Sequence, residues 1–262
     1  MFCPHLPTFW QHRAYESVES TMLCCNALGV EPGHVLLVTA EEQTAGRGQR
    51  GTVWESAKGE NLTFSVAWRN LGVPAREQFL ISEMTALAVV RTVEEMLRNA
   101  ACREEISVKW PNDIYVGQRK IAGMLIEHSL SGSHIDGSMA GIGLNVNQKH
   151  FAGDAPNPVS LRQIAGKTFS REAVMEAFVR HFDQGISMLL KKRFEEIEET
   201  FASRLFRRRG WHEFRDADGA FVGRFAGIAR NGLLTLEKKS GGSATYAFKE
   251  VSFVIPPQPQ LE

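Results

Sequence analysis

An α+β fold, a mainly antiparallel or mixed sheet packed with helices and followed by a small all-β barrel, is predicted for this 262-residue chain by three observations. Three strand patterns joined by short turns succeed one another between residues 106 and 147, and short connections make neighbouring strands antiparallel. Residues 77–97 and 170–207 carry apolar side chains at helical spacing, stripes that a sheet or another helix must cover. From about Trp211 the texture changes to short alternating runs separated by turn signals. The predicted division is therefore 1–210 and 211–262.

Taken in order, residues 1–14 are punctuated by Pro4 and Pro7 and read as a loose arm. Tyr15 to Met22 leads into a short helix that ends at Gly29, and Ser20 and Thr21 are N-cap residue types. Residues 35–39 are a continuous apolar run, the pattern of a buried strand, and 62–68 alternate with Leu62, Phe64 and Val66 on one face. The helix of 77–97 is marked by Phe79, Met84, Leu87, Val90, Val93, Met96 and Leu97.

Residues 106–116 read as a strand, a break at Pro111 and a second strand; 118–127 pair back across Gly117, and 139–147 form a glycine-bearing strand. The polar, proline-bearing stretch 148–158 reads as a long loop that a ligand would order. One helix is expected over 170–207, with Ser170 as its N-cap. Beyond it lie strand runs at 220–228, 233–236 and 245–255, a type I′ turn signal at Asn231-Gly232 and a turn at 240–243. The Pro/Gln-rich tail 256–262 is expected to fray.

Thirty basic residues balance thirty acidic ones, so no global field draws the chain to nucleic acid or anionic lipid. Its four cysteines form no C-x-x-C pair, and Cys24-Cys25 fall in an apolar helical pattern, as reduced thiols do. No run of 18 apolar residues and no signal-peptide pattern occurs, which predicts a cytoplasmic protein without a membrane segment.

Chemistry concentrates first in residues 41–61. Gly46, Gly48, Gly51 and Gly59 let the backbone approach a ligand closely, and Arg47, Arg50 and Lys58 place positive charge on it, an arrangement that suits a phosphate. G-R-G-Q-R-G at 46–51 satisfies the literal dinucleotide fingerprint G-x-G-x-x-G. Its context does not, because six polar or small residues separate it from the preceding strand, no helical period follows, and no carboxylate lies near Leu71. Taken alone, the stretch reads equally as a glycine-rich surface loop. A second cluster, Lys109-Trp110-Pro111-Asn112-Asp113, puts a cation, an amide and a carboxylate at a break between strands, and Asn145 follows in G-L-N-V-N.

In order and spacing, G-R-G-Q-R-G-x-x-W, K-W-P-N-D, K-I-A-G-M-L-I-E and G-I-G-L-N-V-N resemble biotin protein ligase, also called biotin-[acetyl-CoA-carboxylase] ligase, over roughly residues 15–255. The resemblance implies a class II synthetase-like catalytic domain with an SH3-like C-terminal barrel. It also implies that biotin and ATP are joined to biotinyl-5′-adenylate and pyrophosphate, and that the biotinyl group passes to a lysine of a carboxylase's biotin carboxyl carrier domain.

Carried over residue by residue, biotin lies against Ser20, Thr21, Gln43, Gly46, Arg47, Gly48 and Lys109, and ATP near Arg47, Arg50, Trp54, Asp113, Lys120 and Asn145. Lys109 and Arg47 are the catalytic cations, and Asp113 is the implied magnesium (Mg2+) ligand. Two positions depart from the family pattern. Met22 stands where S-T-N is usual, removing a polar contact, and Gln49 stands where many members carry a second arginine.

Many bacterial relatives add an N-terminal winged helix-turn-helix. About 14 residues precede the first matched motif here, so the expectation is a form without that module, with no nucleic acid or membrane partner. The resemblance leaves room for a homodimer. Two competing readings are a non-catalytic regulator that binds biotin or its adenylate, and a lipoate-attaching relative.

The residue types fit the implied chemistry. A biotin carboxylate and the α-phosphate repel each other, and Lys109 and Arg47 are suited to neutralise both. Buried ureido groups left unpaired cost ~1–3 kcal/mol each, and Ser20, Thr21 and Gln43 offer partners.

Overall fold

The computed structural model describes residues 4–46, 48, 54–69, 71–153 and 157–258. Seven strands form the larger sheet: β1 (Trp10–Val18), β2 (Val35–Gln43), β3 (Leu62–Arg69), β4 (Ile106–Lys109), β5 (Asp113–Val116), β6 (Arg119–Ser131) and β7 (His134–Leu144). Their spatial order is β1-β2-β3-β7-β6-β5-β4. Among the described residues only β1 and β2 of this sheet pair in parallel; every other neighbour in it is antiparallel. The expected mixed sheet is present.

Strand β3 is buried on both faces, more than its alternation alone conveys. Leu62, Phe64, Val66 and Trp68 join the main core, whereas Ala67 packs in a second cluster with Leu36, Val38 and Cys25. Helix α1 (Thr21–Leu28), which contributes Cys25, supplies that second side and closes at Gly29 with φ 68°.

The main core is completed by α2 (Phe79–Leu97), α4 (Arg171–Leu190) and α5 (Phe194–Ser203), with short α3 (Leu161–Ala165) beside them. Helices α2 and α4 approach closely because Gly185 has no side chain: a Cβ there would stand 2.5 Å from Met84 Sδ.

Several expectations are corrected. Residues 10–18 are the edge strand β1, not part of a loose arm, because Trp10 buries its indole against Phe182 at 5.9 Å. The helix expected over 170–207 is two: Lys192 takes φ 54°, a left-handed conformation that ends α4. The turn then lets α5 set Phe201 against Phe79 at 5.7 Å, which a straight continuation would not. Ser170 caps α4 as expected, accepting from Ala173 N at 3.2 Å. Helix α3, which follows the expected loop of 148–158, was not foreseen, although Ser160 and Gln163 form a capping box that announces it.

The remaining corrections concern the C-terminal part. Strands β8 (His212–Asp216), β9 (Gly219–Ile228), β10 (Leu234–Lys238), β11 (Ser243–Tyr246) and β12 (Ser252–Phe253) form an antiparallel sheet in the order β11-β10-β9-β8-β12. It is an open SH3-like sheet and not a closed barrel, since the end strands β11 and β12 do not pair among the described residues. The β9–β10 turn also differs from type I′. Gly232 alone takes positive φ, 89°, and donates to Ala229 O at 2.7 Å, a three-residue loop with one left-handed residue. Finally, residues 256–258 of the tail are tied down, because Asn157 Nδ2 donates to Pro256 O and Gln258 N to Asn157 Oδ1, each at 2.9 Å.

Specific contacts seat the smaller sheet on the larger unit. Trp110 Nε1 donates to Gly232 O at 3.0 Å, and Arg230 meets Glu198 at 2.8 Å and Glu195 at 3.2 Å. Residues 204–206 run beside β4, with Val108 N to Arg204 O at 2.7 Å and Phe206 N to Val108 O at 2.8 Å, covering an edge that would otherwise stand open.

Candidate active site

A cavity of about 950 Å³ opens between the two sheets. Ser20, Thr21, Gln43, Gly48, Trp54, Lys109, Asp113, Lys120 and Asn145 all line it, together with Phe248, Lys249 and Phe253 from the C-terminal sheet. Nine of the sequence-selected residues therefore share one space. Arg47 and Arg50 lie outside the described residues.

At one wall, Gly141 and Gly143 of β7 border the cavity, and the β3 residues opposite them lie buried behind the wall. Ser65 pairs with Gly141 and Thr63 with Gly143 across the two strands. Thr21 organises this wall. Its amide donates to Gln43 Oε1 at 2.7 Å, and its hydroxyl lies 3.0 Å from the same oxygen and 2.7 Å from Ser65 Oγ. A hydroxyl donates once, so the consistent arrangement has Thr21 donating to Gln43 and accepting from Ser65. Ser20, extended at the helix entrance, makes no cap hydrogen bond with its side chain. Sequence reasoning missed Ser65, which lies buried in β3 beneath Thr21 and belongs to none of the motifs.

Two glycines on this wall make room for larger groups. A Cβ on Gly141 would come within 2.6 Å of Met22 Sδ, so the thioether at the position that departs from the family pattern rests directly on the strand. Beside it, the Trp54 indole covers Gly143 and Gly123, where a Cβ would stand 2.1 Å and 3.0 Å from ring atoms. Trp54 N donates to Gly46 O at 3.2 Å, closing the base of the glycine-rich segment. Gly46 itself would carry a Cβ only 3.1 Å from Trp54 O, a close backbone approach.

The charged wall is built by the hairpins of β4, β5 and β6. Lys109 pairs with Asp113 in register, and Asp113 with Gly123. Lys120 Nζ stands 2.7 Å from Asp113 Oδ1, and Lys109 Nζ 3.6 Å from Asp113 Oδ2. These side chains are only 15–19% exposed. Burial pulls the Lys109 pKa below the ordinary lysine value; the Asp113 carboxylate opposes that shift, and the Lys120 and Arg207 charges add to it. Asn145 Nδ2 donates to Val159 O at 3.0 Å, while its Oδ1 is buried with no hydrogen-bond partner among the described residues. That acceptor is available to a ligand.

The magnesium expectation at Asp113 does not fit this donor set. Both carboxylate oxygens face lysine ammonium groups, and no cluster of three acidic, histidine or cysteine residues exists among the described residues.

Glu55 is a further residue that sequence reasoning passed over. Its carboxylate accepts from Ala152 N at 3.0 Å, Gly153 N at 2.6 Å and Gln148 Nε2 at 3.2 Å. It thereby ties the end of the glycine-rich stretch to the loop after β7, both of which border the cavity. Among the described residues no helix is long and apolar enough to cross a membrane.

This architecture and its motifs have known counterparts. Residues 16–147 match the Biotin/lipoate A/B protein ligase family. The biotin--[acetyl-CoA-carboxylase] ligase of Paracoccus denitrificans is 30% identical over 208 residues, covering 78% of this chain and 85% of that protein. The bifunctional ligase/repressor BirA of Bacillus subtilis is 30% identical over 216 residues, 80% of this chain and 64% of the relative's length. The chain thus spans about two thirds of that longer protein. In three dimensions, the biotin protein ligase from Aquifex aeolicus in complex with biotin and ATP superposes with a TM-score of 0.73, at 24% identity, over 94% of this chain and 99% of that one. Family match and shared fold agree with the cavity's construction, and the chain belongs to the biotin/lipoate A/B protein ligase family.

Proposed function

We propose that this protein joins biotin to ATP, forming biotinyl-5′-adenylate and pyrophosphate, and then transfers the biotinyl group to a lysine of a carboxylase's carrier domain. The observation that carries this reading is the buried Lys109–Asp113–Lys120 cluster, which shares one cavity with the hydrogen-bonded Thr21–Gln43 pair that Ser65 supports from behind. One wall suits a polar ring system, the other an anionic reaction. The name of the Paracoccus relative supports the choice of biotin.

In the first half-reaction a biotin carboxylate oxygen attacks the α-phosphorus, the bond to the β-phosphate bridging oxygen breaks, and pyrophosphate leaves with its electron pair. Two anions must meet for this to occur. Lys109 and Lys120 hold positive charge at the site where that repulsion arises, and Asp113 keeps the two ammonium groups apart and oriented. Any magnesium comes as part of the nucleotide substrate, carried on its phosphates. Trp54 offers a ring face for the adenine, and Asn145 Oδ1 an acceptor for a nucleotide N–H or hydroxyl.

In the second half-reaction the carrier lysine's neutral amine attacks the acyl carbon. The acyl–phosphate bond breaks, AMP leaves and the amine's proton is released. On this reading residues 1–210 carry the chemistry and 211–262 supply one wall of the cavity.

The decisive experiment incubates the protein with ATP, magnesium, labelled biotin and a biotin carboxyl carrier domain. Covalent label on the carrier lysine, with pyrophosphate and AMP released, is expected. Biotin that binds without releasing pyrophosphate would identify a binding protein instead.

A further inference from the structure

The Lys109 ammonium has an unusual neighbourhood for the cation of a charged cluster. Its nearest carboxylate oxygen is 3.6 Å away, beyond ordinary hydrogen-bond length, because Asp113 is engaged by Lys120 at 2.7 Å. What stands close instead are two aromatic rings. The Tyr115 centroid lies 5.6 Å from Nζ and the Phe253 centroid 5.4 Å, both within cation–π range.

Tyr115 belongs to β5, two residues beyond Asp113 on the same strand face. Phe253 comes from β12, the two-residue end strand of the C-terminal sheet. Its ring is fixed from behind by Phe214 at 5.0 Å and Phe206 at 6.0 Å, so it cannot swing away without disturbing that aromatic stack.

We infer that Phe253 is a positioning residue for Lys109, holding the ammonium against the ring of Tyr115, and that the C-terminal sheet is thereby a working part of the adenylation site. This rests on the function proposed above, in which Lys109 supplies charge at the α-phosphate. A ring face on one side and a carboxylate on the other restrict the ammonium more than either does alone. The charged and titratable groups around it are Asp113 and Tyr115 from β5, Lys120 from β6 and Arg207 from the segment before β8. Asp113 and the Tyr115 ring also favour a cation there, while the Lys120 and Arg207 charges oppose it.

The test follows biotin-dependent pyrophosphate release by the full chain from neutral to alkaline pH. Phe253→Leu keeps an apolar side chain and removes the ring; Phe253→Tyr keeps the ring. For Phe253→Leu the ammonium is less favoured, so the alkaline limb should move to lower pH by about half to one unit, and kcat should fall about 5- to 30-fold. Phe253→Tyr should restore both. An alkaline limb at the wild-type pH in Phe253→Leu, or an equal shift in both variants, would reduce Phe253 to packing.

A second measurement needs no variant at Phe253. With methyl- and methylene-resolved NMR of the wild-type chain, the Lys109 ε-CH2 signals, assigned by their loss in Lys109→Arg, should lie upfield of other lysines through ring currents. Signals at the ordinary lysine position would overturn the inference. Absence of any biotin-dependent pyrophosphate release from wild type would instead remove the functional reading, leaving the NMR result to judge the contact.

Discussion

Gly143 and Trp54 are matched in space: a Cβ on the glycine would stand 2.1 Å from the indole, so the ring fills the volume that a side chain on β7 would need. The Lys120 ammonium then sits 5.6 Å from the same ring. A β-strand residue at the sheet's centre is thus the seat of a ring that lines the cavity.

Gly143→Ala therefore should displace Trp54 and weaken nucleotide binding. Overpacking of this kind costs ~1–3 kcal/mol, so KM for ATP should rise about 5- to 150-fold with the biotin affinity less affected. Steady-state kinetics with each substrate varied in turn will show it. An unchanged KM for ATP would mean that the indole has another resting place and that Gly143 does not matter to the nucleotide.

Lys109→Ala should abolish most adenylate formation and leave the fold intact, because the side chain projects from a strand end into the cavity and belongs to no apolar stripe. Loss of one fixed donor of this kind costs ~2.7–4 kcal/mol in the transition state, a 100- to 1,000-fold drop in kcat. Pyrophosphate release is the readout, with thermal unfolding as control; a wild-type rate would exclude Lys109 as the electrostatic catalyst.

Glu55→Ala should free the loop after β7. Two backbone N–H groups, those of Ala152 and Gly153, lose their carboxylate acceptor. Bonds to a charged group contribute ~1.5–3 kcal/mol, so amide exchange at these two positions should accelerate at least tenfold. Hydrogen exchange of the ligand-free protein measures this, and equal protection in variant and wild type would assign the ordering of the loop to other contacts.

Glu83, buried in α2, has its pKa pushed up to about 8, first by burial and then by the Glu198 charge, with Arg230 opposing. The ordinary value is 4.5, so the folded state holds a proton that the unfolded state releases. Its contribution to stability is complete below that ordinary value and declines as pH rises from 4.5 through about 8, after which it is level. Glu83→Gln should flatten this slope, making the variant less sensitive than wild type to a rise across that interval. Urea unfolding at both ends of the range tests it; parallel slopes would show that Glu83 ionises without hindrance.

Several features of this protein were legible in the linear chain. The hairpins from β4 to β7, the N-terminus of α1 and the segments bearing Lys109, Asp113, Lys120 and Asn145 follow from alternation, proline and glycine placement and short connections. These are local rules: pairing neighbouring strands fixes register within a few residues, so a motif's position in the sequence becomes its position at the sheet.

Other features depended on parts of the chain that only folding brings together. Residues 10–18 became β1 because Trp10 found Phe182, and the helical stripe of 170–207 broke at Lys192 so that α5 could meet Phe79. No local pattern marked Ser65 or Glu55 as site residues, since their partners Thr21, Ala152 and Gly153 are distant in sequence. The place of Phe253 beside Lys109 was least legible of all. It depends on how the open C-terminal sheet docks through Trp110 to Gly232 and Arg230 to Glu198, and the ammonium-to-ring distance is set by that docking and not by any periodicity along the chain. Periodicity records which face of an element is apolar; which residue stands opposite it is decided by the packing that buries that face.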